Sequence, residues 1–189
     1  MTRYVGIDPS TKLGKCILNE DGKVLEAVEI TSEEERDPAR LIDLTIQAVS
    51  DIERDDWVFI EGFSYGSKGS AVDIQYGLGW LIRAELYKRR IPYIEVSPNS
   101  LKKFATGKGN CKKDAMVLPI YKKWGFESDS DNIRDAYVLS RVAMAMSMPQ
   151  KLTAYQQEAI NNIQKEMRKN EKHIKGCTDE TKGLGRGTS

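Results

Sequence analysis

At 189 residues, the chain has room for one domain of ordinary size with a short appendage. Hydrophobic residues make up 40% of the chain, which excludes a disordered protein, while the net charge of +1 argues neither for nor against a nucleic-acid partner. Three cysteines without CxxC spacing argue against a zinc site or a disulfide framework, and the single histidine, His173 in a polar region, argues against chemistry built on a catalytic histidine.

The first part of the chain is predicted to form four strands and one helix. Three strand patterns with glycine-containing turns between them predict antiparallel strands at 4–7, 15–19 and 24–30. A helical pattern follows Pro38 and continues to Val49, and the apolar run 57–60 predicts a fourth strand that ends at Glu61. The next stretch, "GFSYGSKGS", is predicted to be a loop because it is rich in Gly and Ser.

The rest of the chain is predicted to be mainly helical, with one further strand. The strand lies at 92–96, and the helices lie at 71–90, 99–105, 111–124, 131–148 and 155–172. This order predicts an α/β fold, a mixed five-stranded sheet flanked by helices, in a domain of residues 1–149. Residues 150–189 are expected to form a C-terminal helix and a flexible polar tail. No apolar stretch approaches the roughly 20 residues of a membrane span, so we expect a cytoplasmic protein without membrane contact.

Two predicted strands end in acidic residues, Asp8 on the first strand and Glu61 on the fourth. If these strands are neighbours, both carboxylates lie at one edge of the sheet. Two such anions repel each other, and at neutral pH they need a shared proton or a bound cation. The alternative is that each is a structural carboxylate with its hydrogen bonds satisfied.

The last predicted helix of the domain supplies a third group of acids. Asp131 and Asp135 are four residues apart and therefore share a helix face, and Asn132 lies close to that face. Oxygen ligands without histidine suit Mg²⁺ or Mn²⁺, and two such ions about 4 Å apart can hydrolyse a phosphodiester. Asp131 has the alternative role of an N-cap or first-turn acid of its helix.

Four segments together resemble the RuvC-type Holliday junction resolvases, especially their bacteriophage versions. They are "GIDPSTKLG", "VFIEGFSYG", "VSPNSLKKFATGKGNCKKDAM" and "DNIRDAYVLS", and the resemblance covers roughly residues 3–147. It implies an RNase H-like fold, a homodimer, and nicking of four-way and related branched DNA with two Mg²⁺ (or Mn²⁺) ions per active site.

The resemblance also implies which residues hold the metal. Asp8, Glu61 and Asp135 match metal ligands of the family. Many relatives have an acid, sometimes a histidine, three residues before the last aspartate, where this chain has Asn132 with Asp131 one residue earlier. Either Asp131 or Asn132 therefore completes the predicted site.

Further residues are predicted to contact DNA. The resemblance implies an aromatic wedge after the second acid, for which Phe63 and Tyr65 are the candidates, although Phe63 could instead pack on the core. Lys108, Lys112 and Lys113 are suited to phosphate contacts near a helix N-terminus, and the resemblance places a lysine of this region near the scissile phosphate. Lys113 is counted among the catalytic candidates. In the tail, further cations could add DNA affinity, namely Lys165, Arg168, Lys169, Lys172 and Lys175.

Three other functions remain open from the sequence. One is a looser RNase H-like nuclease that cuts flaps and branches. Another is an actin-like nucleotide-binding module, because "GIDPSTKLG" is similar to the phosphate-binding hairpin of actin-like ATPases, but that fold needs two such halves and gives Glu61 no role. The last is a binding protein without catalysis, which the departure at Asn132 allows. We expect no nucleotide cofactor. The apolar residues of the helix at 71–90 suit a dimer interface or the core equally well.

Overall fold

A computed structural model of the chain describes residues 2–63 and 72–183, with side chains up to residue 169. The strands are β1 (Tyr4–Asp8), β2 (Leu13–Leu18), β3 (Val24–Ile30), β4 (Trp57–Glu61) and β5 (Tyr93–Val96). The helices are α1 (Ala39–Val49), α2 (Val72–Lys88), α3 (Pro98–Thr106), α4 (Val117–Trp124), α5 (Asp131–Ser147) and α6 (Ala154–Gly183). Within these residues, no helix is both long enough and apolar enough to span a membrane.

The five strands form one mixed sheet in the order β3-β2-β1-β4-β5. β1, β2 and β3 are antiparallel neighbours, whereas β1, β4 and β5 run parallel, which confirms the predicted sheet. Ile7 pairs with Ile60, and Glu61 pairs with Val96. The carboxyl ends of the three parallel strands therefore share one edge of the sheet. Because the catalytic acids are predicted to lie at this edge, we call it the catalytic edge.

The sheet separates two hydrophobic cores. On one face, α3, α4, α5 and α6 enclose a core that includes Tyr4, Phe59 and Tyr137. On the other face, α1 and α2 cover a core that includes Ile7 and Leu78. Both faces of β1 are therefore buried, and Asp8 at its end lines a cleft.

Helix α5 lies unusually close to β1 and β2 because each strand has a glycine at the contact. A Cβ atom on Gly6 would lie 2.0 Å from the carbonyl oxygen of Ala136, and one on Gly14 would lie 2.0 Å from that of Asn132. No side chain fits at either position. These glycines bring the first turns of α5, and with them Asp135, against the catalytic edge.

Two helices differ from the prediction. The helix predicted at 111–124 is a single 3₁₀ turn, Lys113–Met116, followed by α4. Pro119 explains the difference, because proline is tolerated in the first turn of a helix but not in its interior, and α4 begins two residues before Pro119. Helix α6 continues to Gly183, beyond the predicted 155–172, and packs against α3 and β5.

Candidate active site

Asp8 ends β1 at the catalytic edge and is only 4% exposed. Its Oδ2 atom is buried and has no hydrogen-bond partner among the described residues. Burial, followed by the nearby charges of Glu61 and Asp135, raises the pKa of Asp8 well above its ordinary value. Among the described residues, Asp8 Oδ2 therefore lacks the hydrogen bond that a satisfied structural carboxylate would have.

Glu61 ends β4 beside Asp8, as the prediction of neighbouring strands requires. Burial raises its pKa, the charge of Asp135 adds to this effect, and a hydrogen bond with the Asp8 carboxyl acts in the opposite direction. In the absence of a cation, the two carboxyl groups therefore bind a proton more strongly than isolated carboxyl groups would.

The third carboxylate, Asp135, comes from α5 and is 2% exposed. Burial raises its pKa, although the neighbouring Lys113 acts to lower it. The Lys113 Nζ atom lies 3.2 Å from Asp135 Oδ2 and 2.8 Å from Asp131 Oδ2. One ammonium group therefore lies against two of the predicted metal ligands.

The pKa values of Lys113 and Asp131 reflect this contact. Burial lowers the pKa of Lys113, but its hydrogen bond with Asp131 and the charge of Asp135 outweigh burial and raise it overall. The same hydrogen bond lowers the pKa of Asp131. Lys113 is thus fixed in its charged form at the site.

The beginning of α5 distinguishes Asp131 from Asn132. Ser130 is the N-cap, since its Oγ accepts a hydrogen bond from the Ile133 backbone N–H at 3.3 Å, so the prediction that Asp131 could be the N-cap is wrong. Asp131 is instead a first-turn acid that faces Lys113. Asn132 lines the cleft beside Asp8 and Glu61, whereas Asp131 is not among the described residues that line it.

A cleft of about 260 Å³ opens at the catalytic edge, and two of the predicted acids, Asp8 and Glu61, line it together with residues that the sequence did not identify. Asp131 and Asp135 are not among its described lining residues. Its polar lining includes Asp8, Glu61, Asn132, Lys113, Lys102 and Tyr76. Lys102 comes from α3 and lowers the pKa of both Glu61 and Asp135 through its charge. The only sequence signal for Lys102 was its position inside the basic motif "SLKKFATGKGN".

Phe63 packs on α2 at the rim of the cleft. Its ring centroid lies 5.0 Å from that of Tyr76 and 5.2 Å from that of Trp80, and the Arg83 guanidinium carbon lies 4.2 Å above it. Phe63 is half-buried, so one part of the ring packs on the protein and another remains accessible. Tyr65, the other predicted wedge residue, lies outside the described residues.

Arg83 is a buried residue that the sequence did not identify. Its guanidinium donates hydrogen bonds to the Glu61 carbonyl at 3.1 Å, to the Gly79 carbonyl at 2.9 Å and to the Glu95 carboxylate at 2.5 Å. Together with its contact to Phe63, these bonds hold the end of β4, the rim of the cleft and α2 in one arrangement.

Lys108 and Lys112 are exposed and lie in the connection between α3 and the 3₁₀ turn. Neither is among the described residues that line the cleft. The expected helix N-terminus at Lys112 is a four-residue 3₁₀ turn, so its backbone N–H groups do not form the predicted phosphate-binding helix end. A phosphate contact by these lysines would therefore lie outside the cleft.

The side chains at the catalytic edge differ in how well they suit a divalent metal ion. Among the described residues, no three Asp, Glu, His or Cys side chains form a compact metal-binding group. However, the donors at the catalytic edge are oxygen atoms, and the buried Asp8 Oδ2 lacks a partner, as expected for a ligand of a hard cation. The residues fit Mg²⁺ or Mn²⁺, with Lys113 supplying a positive charge beside Asp135.

Comparison with known proteins identifies the fold. No protein-family model matches the sequence, and no curated protein matches it. The solved structure of T. thermophilus RuvC in complex with a Holliday junction substrate is 16% identical, with a TM-score of 0.59 over 77% of this chain and 95% of that chain. A second Thermus thermophilus RuvC structure is 19% identical, with a TM-score of 0.56 over 76% and 95% of the two chains. The chain therefore has the RuvC, RNase H-like fold.

Proposed function

We propose that the protein is a Mg²⁺-dependent, structure-selective DNA endonuclease that nicks four-way junctions and related branched DNA. The observation that carries this proposal is the buried, unpartnered Asp8 carboxylate beside Glu61 at the catalytic edge of a RuvC fold, with Asp135 of α5 near enough for its charge to raise the pKa of both. A buried carboxylate without a partner costs free energy, and such sites in enzymes usually serve function.

Each acid has a distinct task in this proposal. Asp8, Glu61 and Asp135 would hold the metal ions, which when bound activate a water molecule and stabilise the leaving oxygen. Because burial and mutual repulsion favour the protonated acids, Asp8 and Glu61 must release a proton before they bind a cation. Metal affinity should therefore rise with pH.

The lysines at the site would bind the phosphate. Lys102 and Lys113 line the cleft and can pair with the oxygens of the scissile phosphate, as point charges that neutralise the transition state. Lys108 and Lys112 are exposed outside the cleft, where they would contact neighbouring phosphates. Phe63 would contact an unpaired base at the rim, with its position set by Arg83.

We propose Asn132 as the residue that completes the metal site, because it lines the cleft beside Asp8 and Glu61. Asn132→Ala should weaken metal binding, measured by calorimetry with Mn²⁺, more than Asp131→Asn does. If both substitutions have the same mild effect, neither residue is a metal ligand.

Residues 1–149 form the nuclease domain in this proposal, and a homodimer would place two such sites on one junction so that paired strands are cut. The decisive experiment compares cleavage of four-way, three-way, flap and linear duplex DNA, each with Mg²⁺ and with EDTA. We expect Mg²⁺-dependent cutting that is fastest on the four-way junction, and we expect Asp8→Asn to abolish cutting while leaving binding intact. An uncut junction with both Mg²⁺ and Mn²⁺ would rule out the nuclease. Faster cutting of flaps would instead favour the looser branch nuclease.

A further inference from the structure

We propose that three exposed cations on α6, Lys165, Arg168 and Lys169, bind the phosphate backbone of a DNA arm that leaves the cleft. We call these residues the α6 basic face. This inference rests on the proposed function and extends it to a surface outside the cleft.

The direction of α6 brings the basic face to the catalytic edge. Near its start, Tyr155 accepts a hydrogen bond from Lys123 at 2.7 Å and packs 3.5 Å from the Cβ position of Gly107, at the end of α3. Further along, Glu166 lies 3.4 Å from Ser97, the N-cap of α3. Helix α6 is therefore antiparallel to α3 and reaches the catalytic edge at Glu166, because Ser97 directly follows β5.

The inner face of α6 is fully engaged with the rest of the protein. Ile160 and Ile163 are buried in the core, Glu158 forms an ion pair with Lys103, and Glu166 accepts a hydrogen bond from Ser97. Glu158 and Glu166, the two acids of α6 whose side chains are described, thus lie toward α3. Their charge is directed to the body of the protein.

The basic face lies on the outer side of the same helix turns. Lys165, Arg168 and Lys169 are exposed, and their spacing of three and four residues places them together on one surface. Among the ion pairs between side chains of residues up to 169, none includes any of the three. Three like charges within about one helix turn repel each other unless a polyanion lies nearby.

DNA phosphates are the anions that this surface fits. The helix turns that carry the face contact Ser97, and the next residue, Pro98, lines the cleft where the proposed function places the scissile phosphate. Duplex DNA carries one negative charge per about 1.7 Å of its axis. Because Ile160 and Ile163 anchor α6 in the core, the helix backbone that carries the cations is already ordered before DNA binds. Such contacts add affinity for any DNA sequence without reading bases.

The test compares two triple variants with the same change in charge. One is Lys165→Gln/Arg168→Gln/Lys169→Gln. The control neutralises three exposed cations at the opposite edge of the sheet, Lys23→Gln/Arg54→Gln/Lys88→Gln. Dissociation constants for a synthetic four-way junction are measured in EDTA, so that no cleavage competes, from about 50 to 200 mM salt. Thermal unfolding verifies that both variants are folded.

We expect the α6 variant to bind the junction more than tenfold more weakly at about 100 mM salt, and the slope of log affinity against log salt to fall by about 2 to 3. The control should change affinity less than twofold. Wild-type-like affinity and slope in the α6 variant, or equal losses in both variants, would overturn the α6 inference alone. If the wild-type protein does not bind branched DNA at all, the proposed function fails as well.

Discussion

Replacing Asp8 by asparagine should make the metal-free protein more stable. The Asp8 side chain is buried with Oδ2 unpartnered, and the charges of Glu61 and Asp135 act against its ionisation. An uncompensated buried polar or charged group costs about 1–3 kcal/mol. An asparagine amide carries no charge and can donate a hydrogen bond to the Glu61 carboxylate, so we expect Asp8→Asn to raise the free energy of unfolding by about 1–3 kcal/mol at pH 8.

The Asp8 carboxyl also makes the stability of the metal-free protein depend on pH. Because the folded-state pKa of Asp8 is raised, the folded protein holds a proton that the unfolded chain releases above about pH 4. Wild-type stability therefore falls as the pH rises from that value through the folded-state pKa. Asp8→Asn removes this titration, so its advantage should be larger at pH 8 than at pH 5.

The assay is urea unfolding in EDTA at pH 5 and pH 8, with Asp56→Asn as the matched control. Asp56 is also buried, but it accepts hydrogen bonds from Arg3 at 2.6 and 2.9 Å and from the Glu53 backbone at 2.8 Å. Its replacement should therefore destabilise the protein by about 1–2 kcal/mol. The prediction is refuted if the Asp8→Asn protein is no more stable than wild type at pH 8. It is also refuted if the gain in the free energy of unfolding over wild type is the same at pH 5 and pH 8.

Two further substitutions test the surroundings of the acids. Lys113→Met removes the ion pair with Asp135 and should lower the free energy of unfolding of the metal-free protein, but only by about 1 kcal/mol because the Lys113 side chain is 44% exposed. The same substitution should enlarge the rise in unfolding temperature on adding Ca²⁺. An unchanged response to Ca²⁺ would contradict this. Gly6→Ala should cost more than about 3 kcal/mol in urea unfolding, since its Cβ would lie 2.0 Å from the Ala136 oxygen. Gly77→Ala is the control and should stabilise the protein by about 0.5–1 kcal/mol, as Leu41 lies at an ordinary 3.7 Å.

The sheet and the pair of strand-end acids could be predicted from the sequence because both are local patterns. Apolar runs that end at Asp8 and Glu61 predict strands and the positions of their ends, and parallel pairing then brings the two acids together. Asp135 could be placed on a helix face by spacing alone. These assignments needed no knowledge of side-chain conformations.

Contacts between distant segments could not be predicted. The Lys113 ammonium reaches Asp135 from the 3₁₀ turn that replaces the first part of the predicted helix. The sequence predicts that Arg83 is an ordinary exposed cation of an amphipathic helix, but in the fold it is buried against the Phe63 ring. Such roles depend on which elements pack together, and helical periodicity does not contain that information.

Because α5 contacts the sheet at glycines, the geometry of the site does not depend on which side chains fill the core. At Gly6 and Gly14 the helix backbone rests directly on the strand backbone, so the spacing between β1 and α5 is set by main-chain atoms. Main-chain contacts have no rotamers and do not change when core side chains are exchanged for others of similar volume. Most of the interior of this chain can therefore change in sequence while Asp8 and Asp135 keep their separation, provided that both glycines stay.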